Sequence, residues 1–310
     1  MEKPVNLAVQ LGPLRLKNPV MVASGTFGYG QEYADVAPPE RLGALVVKGI
    51  SLKPRPGNPP PRLWETRGGM LNSIGLQNVG LRVFLAEKLP WLRSLAVPVV
   101  VNIFGNAVEE YGELAAALDG QEGVSALEIN ISCPNVKAGG MVFGCEPAMV
   151  AEVVGAVRRR TRLPVITKLT PNVTDVTVAA RAAEEAGSDI LSLINTVAGM
   201  AVDVESRKPR LSTVIGGLSG PAIKPIALRQ VWQVVGAVKV PVIGLGGITC
   251  AEDALEFLIV GARAIQVGTA NFVNPRVTLE IIAGIEAYLR DQGLNDINEV
   301  IGTLEIGGKG

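Results

Sequence analysis

Short apolar, β-branched runs alternate along most of the chain with segments of helical periodicity. Turn residues bound each run, and continuous apolar runs of this length are typical of parallel strands buried on both faces. The pattern predicts strands at 18–25, 44–49, 98–104, 126–132, 164–170, 190–196, 241–247 and 264–269. It predicts helices near 80–93, 106–118, 147–160, 174–186, 225–238, 251–260 and 275–290, and a weaker helical stretch at 31–37.

This alternation of eight strands and helices predicts an α/β fold, a (β/α)8 TIM barrel formed by one domain, 1–310. The rival is a doubly wound open sheet, which normally carries a glycine-rich phosphate turn after its first strand. The segment GTFGYG at 25–30 stands there and matches GxGxxG poorly, so the barrel is favoured.

Three segments depart from the simple repeat. Residues 51–79 and 197–224 are long inserts after the second and sixth strands, at the barrel end where active sites lie. We therefore expect both to be active-site loops. A hairpin predicted at 5–18 would cap the opposite end of the barrel.

The amino-acid composition excludes several classes of binding site and catalytic group. Lys+Arg and Asp+Glu both number 29, so there is no basic excess for nucleic acid, and no apolar run is long enough for a membrane span. The N-terminus lacks the features of a signal peptide, so we expect a cytoplasmic protein. The chain has no histidine, which excludes an imidazole base, and no metal site is expected. Its cysteines, Cys133, Cys145 and Cys250, are too few for an iron–sulfur cluster.

Polar residues interrupt the apolar strands near their C-terminal ends, which meet at one mouth of a barrel. They are Lys48, Asn102, Asn130, Lys168, Asn195 and Thr196. Any one of them could be a satisfied core polar group, because burying such a group without a partner is costly. Six converging on one mouth favour a functional site.

The last two strands run into glycine-rich turns, which often bind phosphate in TIM barrels. The candidates are Gly246, Gly247, Gly268 and Thr269, although glycines can also serve only to make tight turns. Cys133 follows the fourth strand, among asparagines and lysines that could support a thiolate. Cys145 and Cys250 are interpreted as small, buried apolar residues.

Nine motifs in order make the sequence similar to the FMN-dependent dihydroorotate dehydrogenases. They are ASGTFGYG, VVKGIS, NSIGLQN, NISCPN, KLTPNVTD, INT, LSGPAIKPIALR, GLGGI and VGTANF, spanning residues 23–272. KLTPNVTD, INT and SGPAIKPIALR resemble most the NAD-linked form, class 1B. Ser73 is a small departure, since alanine is expected there.

The resemblance implies roles for individual residues. Those expected to contact FMN are Ser24, Lys48, Gly49, Asn102, Asn130, Lys168, Ile194, Gly220, Gly246, Gly247, Gly268 and Thr269, with the phosphate on the last four. Those expected to hold dihydroorotate are Lys48, Asn72, Ser73, Ile74, Gly75, Leu76, Asn130, Asn195 and Thr196. Cys133 stands where the family carries its catalytic base, which takes the proton from C5 while hydride leaves C6. Lys168 would stabilise negative charge near flavin N1.

The resemblance also implies a partner, because this chain has neither a second dinucleotide site nor the cysteines for an electron relay. We expect a subunit carrying FAD and a [2Fe–2S] cluster, which passes electrons to NAD+, and a heterotetramer with a homodimer of this chain at its core. Three alternatives stay open. They are the fumarate-dependent class 1A enzyme, a phosphosugar aldolase or isomerase using Lys168, and a non-catalytic flavin carrier.

One further expectation concerns Glu128. The period of two along a strand places Glu128 on the same inward face as Asn130. A carboxylate inside a barrel needs a partner, and Lys168 on the next strand is the predicted one.

Overall fold

The computed structural model describes residues 5–132, 134–135 and 141–307 of the chain. Its strands are, in chain order, β1 (Val9–Leu11), β2 (Leu14–Leu16), β3 (Val20–Val22), β4 (Leu45–Val46), β5 (Leu63–Thr66), β6 (Gly69–Asn72), β7 (Val99–Ile103), β8 (Ala126–Asn130), β9 (Pro134–Asn135), β10 (Met141–Val142), β11 (Val165–Lys168), β12 (Ile190–Leu193), β13 (Val197–Met200), β14 (Val202–Asp203), β15 (Lys208–Pro209), β16 (Ile215–Ser219), β17 (Val242–Leu245) and β18 (Ala264–Val267). Its α-helices are α1 (Gly80–Val83), α2 (Leu89–Leu92), α3 (Val108–Leu118), α4 (Pro147–Arg158), α5 (Val176–Glu185), α6 (Lys224–Val235), α7 (Ala251–Ile259), α8 (Ala270–Val273) and α9 (Val277–Asp291).

Among the described residues, eight strands form one parallel sheet in the order β3, β18, β17, β12, β11, β8, β7, β4. The two end strands also meet, through a parallel bridge between Met21 and Ala44 and a 2.8 Å hydrogen bond from N of Gly43 to O of Val20. The sheet is therefore closed, and the predicted (β/α)8 TIM barrel is confirmed. Each strand ends before its predicted run does, because the polar and glycine residues that close the runs leave the sheet.

Most helices lie in the predicted segments, but the short helix α8 was not predicted and the helix predicted at 31–37 does not form. The segment 80–93 forms α1, a π-helical turn at Phe84–Lys88 and α2 in direct succession. The predicted helix at 31–37 is wrong, since only 3-10 turns at Gln31–Tyr33 and Pro39–Arg41 follow β3. Pro38 disfavours helical backbone at Ala37, the residue before it, which shortens the segment available to a helix. No described helix is both long and apolar enough to cross a membrane.

The N-terminal hairpin lies at the opposite end of the barrel, as predicted. Strands β1 and β2 pair antiparallel, and each turns two leucine or valine side chains into the core. At the turn, a Cβ added to Gly12 would come within 3.2 Å of the carbonyl oxygen of Asp189 and the side chain of Ile190, where β12 begins. The hairpin therefore packs against the N-terminal ends of the barrel strands.

The two long inserts join each other. In the described part of the chain, β13 and β16 from the second insert and β6 and β5 from the first form a four-stranded antiparallel sheet, here called the insert wall. Its central pairing aligns Gly217 with Asn72 and Leu218 with Leu71. The sequence predicted two separate loops, because nothing in either insert shows that its partner strand lies more than a hundred residues away.

Candidate active site

The predicted site residues surround one cavity of about 1000 Å³ at the C-terminal ends of the barrel strands. Every predicted cofactor and substrate residue lines it: Ser24, Lys48, Gly49, Asn72, Ser73, Ile74, Gly75, Leu76, Asn102, Asn130, Lys168, Ile194, Asn195, Thr196, Gly220, Gly246, Gly247, Gly268 and Thr269. Cys133, the predicted base, lies outside the described residues. Asn130 and Ser132, which precede it, line the cavity. The prediction that the other two cysteines are buried is wrong, since Cys250 is exposed and Cys145 is only partly buried.

A buried carboxylate organises the bottom of this cavity. Glu128 is fully buried, and its Oε2 accepts a 2.7 Å hydrogen bond from Nδ2 of Asn102. Its Oε1 accepts bonds of 2.9 Å from Oγ of Ser192 and from Nε2 of Gln266. The ammonium of Lys168 lies 3.8 Å from Oε2, which confirms the predicted pairing of Glu128 with Lys168. These five side chains are here called the floor network.

The floor network determines how its two amides are oriented. An ionised carboxylate can only accept hydrogen bonds, so Asn102 and Gln266 must turn their N–H groups towards Glu128 and their carbonyl oxygens away. The Oδ1 of Asn102 faces Gly49, where an added Cβ would lie 2.6 Å from it. The Oε1 of Gln266 is buried and has no hydrogen-bond partner among the described residues. Such an orphaned acceptor needs a donor.

A second polar cluster stands beside the floor network. The Nδ2 of Asn195 donates to Oδ1 of Asn130 at 3.1 Å and to Oγ of Ser132 at 2.9 Å. The Oδ1 of Asn195 accepts a 2.8 Å bond from the backbone N–H of Thr196. The cluster therefore fixes the amide groups of Asn130 and Asn195. Asn130 and Ser132 closely precede Cys133 in the sequence.

The insert wall closes one side of the cavity. Asn72 on β6 lines the cavity, and its Nδ2 donates to the carbonyl oxygen of Gly217 on β16 at 3.3 Å. A Cβ on Gly217 would meet Oγ1 of Thr196 at 2.1 Å, so only glycine allows the wall to approach the cavity this closely. The backbone of Ser73 is held by a 2.8 Å bond from its N–H to the carbonyl oxygen of Arg62.

The charges around the cavity have one sign. Lys48, Arg55, Arg62 and Lys168 line it, and no aspartate or glutamate of the described residues does so. No described carboxylate lies within 4.0 Å of the Lys48 ammonium. Burial of this ammonium lowers the pKa of Lys48 from its ordinary value, and the nearby Arg62 lowers it further. The cavity therefore suits an anionic ligand that would compensate these cations.

The four residues predicted to hold phosphate lie together at another side of the cavity. Gly246 and Gly247 have φ angles of 127° and 78°, a region that favours glycine. Thr269 donates to, or accepts from, Oγ of Ser219 at 2.7 Å. The glycines also pack closely on neighbouring residues, so their conformation has a structural reason besides any ligand.

The cavity includes residues that the sequence analysis did not single out, among them Tyr29, Arg55, Arg62, Phe104, Ser132, Ser219, Thr249 and Gln266. The rule that identified Asn102 could have found Gln266, which also interrupts a buried apolar strand. Arg55 and Arg62 gave no such signal, because they lie in an insert whose path the strand pattern does not predict.

The comparisons with known proteins agree with this geometry. The family model described as dihydroorotate dehydrogenase matches residues 6–289. A protein of Geotalea daltonii named dihydroorotate dehydrogenase B (NAD(+)), catalytic subunit, is 58% identical over 306 residues, covering 99% of this chain and 100% of the relative. Proteins with the same name from Pelobacter propionicus and Geobacter sulfurreducens are 59% identical over 300 residues and 58% over 306, covering 97% and 99% of this chain and 99% and 100% of the relatives. The resemblance that the motifs indicated is confirmed, and this chain belongs to the dihydroorotate dehydrogenase family.

Proposed function

We propose that this chain is the catalytic subunit of an NAD+-linked dihydroorotate dehydrogenase, which oxidises dihydroorotate to orotate in de novo pyrimidine biosynthesis. The observation that carries the proposal is the cationic cavity, which brings together every predicted site residue that the structure describes. The relatives align with almost the whole chain. Their names support the NAD+-linked type over the fumarate-dependent class. They also weigh against a phosphosugar aldolase, as does the engagement of Lys168 with Glu128.

The residues of the cavity fit FMN. The orphaned Oε1 of Gln266 and the oriented Oδ1 of Asn102 offer acceptors at the floor, and Lys168 offers a cation there. Gly246, Gly247, Gly268 and Thr269 would hold the phosphate, since glycines leave backbone N–H groups open to it. The remaining predicted contacts are Ser24, Lys48, Gly49, Asn130, Ile194 and Gly220. Bound FMN would accept the hydride that leaves C6 of dihydroorotate.

Dihydroorotate is an anionic ring with amide edges. The asparagine side chains that line the cavity suit such edges. Asparagine supplies both a hydrogen-bond donor and an acceptor, and a lysine ammonium can pair with a carboxylate. We assign Lys48 to the carboxylate, because its ammonium has no described carboxylate partner. Asn130 and Asn195 would hold the amide edges with Asn72, and the remaining contacts would come from Ser73, Ile74, Gly75, Leu76 and Thr196.

Cys133 is proposed as the base that removes the proton from C5. The chain has no histidine, and the residues directly before Cys133 line the cavity. An ordinary cysteine has a pKa near 8.5 and is only a few per cent ionised at neutral pH. The rate of substrate oxidation should therefore rise towards mildly alkaline pH.

The test is the absorption spectrum of the purified chain and its bleaching by dihydroorotate in a stopped-flow instrument. Cys133→Ala should keep the yellow colour and lose bleaching by orders of magnitude, and Cys133→Ser should recover partly at high pH. Bleaching at a near wild-type rate in Cys133→Ala would disprove the role of Cys133. A colourless protein, or one whose colour dihydroorotate does not bleach, would contradict the proposed activity.

The term catalytic subunit in the relatives' names supports a separate partner chain. We propose that the partner carries FAD and a [2Fe–2S] cluster, and that two copies of each chain form a cytoplasmic heterotetramer around a homodimer of this barrel. The isolated chain should reduce artificial dyes with dihydroorotate and turn over NAD+ efficiently only after the partner is added. Brisk turnover with fumarate and no second protein would instead indicate the class 1A enzyme.

A further inference from the structure

An ion pair behind the cavity joins two of the segments that line it. Lys224, the first residue of α6, places its ammonium 2.6 Å from Oδ1 of Asp253 and 2.9 Å from Oε1 of Glu256, both on α7. The other oxygen of Asp253 accepts from the backbone N–H of Thr249 at 2.8 Å and from its Oγ1 at 2.7 Å. One carboxylate thus connects the start of α6 to the loop that follows β17. Lys224, Asp253 and Glu256 do not themselves line the cavity.

The glycine loop lies directly on the first turn of α6. A Cβ added to Gly247 would lie 2.8 Å from the backbone N of Lys224 and 2.7 Å from its Cβ. One added to Gly246 would lie 2.8 Å from Cβ of Ala227, one turn further along the helix. Gly220 and Ile223, which come just before Lys224, line the cavity as well. A shift of the start of α6 would therefore displace cavity residues in both segments.

The pair is well placed to stay charged. The side chains of Lys224 and Asp253 are 25% and 12% exposed. The hydrogen bond to Asp253 is the largest cause that raises the pKa of Lys224 above its ordinary value. For Asp253, burial acts to raise the pKa, but the bonds from Lys224 and Thr249 outweigh it and the pKa is lowered. Both groups are consequently ionised across the neutral range.

We infer that the Lys224–Asp253 pair is a positioning device that sets the affinity of the site for the phosphate end of its cofactor. The inference rests on the proposed function, in which Gly246 and Gly247 hold the FMN phosphate. The contacts of the pair join the start of α6 to the loop after β17, and neither segment carries a side chain of the floor network. Loss of the pair should therefore weaken the binding of the phosphate and leave the binding of the ring largely unchanged.

The experiment compares FMN with riboflavin, which has the same ring and no phosphate. The dissociation constants of both are measured by fluorescence titration of the full chain after its flavin has been removed. Lys224→Met keeps the aliphatic stem and removes the charge, and it should weaken FMN binding about tenfold, or ~1.4 kcal/mol. Riboflavin binding should change less than about twofold, and Asp253→Asn should behave in the same way. Glu256→Gln should have a smaller effect, because that carboxylate is 43% exposed.

The matched control is Arg158→Met. Arg158 forms a 2.9 Å ion pair with Asp189 of similar exposure, near the start of β12 at the other end of the barrel. This variant should leave both dissociation constants unchanged, and urea midpoints of all variants report any general loss of stability.

Equal weakening of FMN and riboflavin in Lys224→Met would overturn the inference, and so would unchanged FMN binding. If Lys224→Met does not fold, the inference is tested with Asp253→Asn and Glu256→Gln, by the same comparison of the dissociation constants of FMN and riboflavin. A wild-type chain that binds FMN no more tightly than riboflavin would refute the phosphate assignment of the proposed function. That failure would be visible before any variant is made.

Discussion

The floor network and the insert wall both contribute side chains to the cavity, but the two are built in opposite ways. The floor network takes one side chain from each of five barrel strands, and side-chain hydrogen bonds to a fully buried carboxylate hold it together. The insert wall is held mainly by backbone pairing, and its outer residues include Met200 and Ile215, which are 55% and 60% exposed. The barrel therefore forms the base of the cavity from buried side chains, whereas Asn72, a proposed substrate contact, lies on a sheet that meets the core through partly buried side chains such as Val197 and Leu218.

The largest effect is expected from breaking the floor network. Glu128→Ala removes the acceptor of three hydrogen bonds and leaves the buried ammonium of Lys168 without its partner. Removing one member of a buried ion pair typically costs about 3–5 kcal/mol. The free energy of unfolding from urea titration followed by circular dichroism should fall by that amount.

A matched variant separates the charge network from ordinary burial. Thr167→Val, on the strand that carries Lys168, removes a buried 2.9 Å hydrogen bond to Ser188, and the bond involves no side chain of the floor network. It should cost about 1 kcal/mol. Equal losses of unfolding free energy in Thr167→Val and Glu128→Ala would show that the floor network contributes no more to stability than one buried hydrogen bond.

A smaller effect should come from the insert wall. In Gly217→Ala the new Cβ would collide with Thr196, and overpacking of this kind costs about 1–3 kcal/mol. Because the strain falls between β16 and Thr196, a proposed substrate contact, the KM for dihydroorotate should rise about tenfold, or ~1.4 kcal/mol. The dissociation constant of FMN should stay within about twofold. A variant that binds FMN much more weakly but, when saturated with FMN, keeps its KM would contradict the division between wall and floor.

The third prediction concerns pH. The pKa of Lys48 is lowered by burial and by Arg62, so the ammonium loses its proton at a lower pH than an ordinary lysine does. Orotate affinity should fall as pH rises through that lowered pKa, because the carboxylate loses its cation. Arg62→Gln should move the fall to higher pH, which titration of flavin absorbance with orotate would detect.

The same shift affects stability in a definite direction. Between the folded and the unfolded pKa of Lys48, the unfolded chain binds more protons than the folded one, so stability rises with pH in that window. Lys48→Met should remove this rise in urea midpoints measured at alkaline pH. A rise of unchanged size in Lys48→Met would assign it to another group.

The smallest effect is expected at the outer surface of the insert wall. Arg210 pairs with Asp203 and lies over the ring of Trp64, with its guanidinium carbon 4.2 Å from the ring centroid. Exposed ion pairs and cation–π contacts are each worth about 1 kcal/mol or less. Arg210→Ala should therefore lower the unfolding free energy by less than about 1 kcal/mol and leave FMN binding unchanged. A loss as large as that of Glu128→Ala would mean that the wall supports the barrel.

The sequence by itself determined the barrel, the end of it that holds the site, and the inward face of Glu128. These follow from local patterns: strands buried on both faces are apolar, polar residues at their ends meet at one mouth, and side chains alternate with a period of two. The missing helix after β3 was also a local matter, because Pro38 disfavours helical backbone at Ala37 and leaves only a short segment.

Only the tertiary structure decided how distant segments meet. The pairing of β6 with β16, the approach of Arg55 and Arg62 to the cavity and the bond between Lys224 and Asp253 join residues 29 to about 150 positions apart. No local pattern encodes such contacts, because the sequence of one segment does not show which distant segment lies beside it. Their geometry is selected when the closed barrel brings the strand ends together, since only then do backbone groups and charges find their partners.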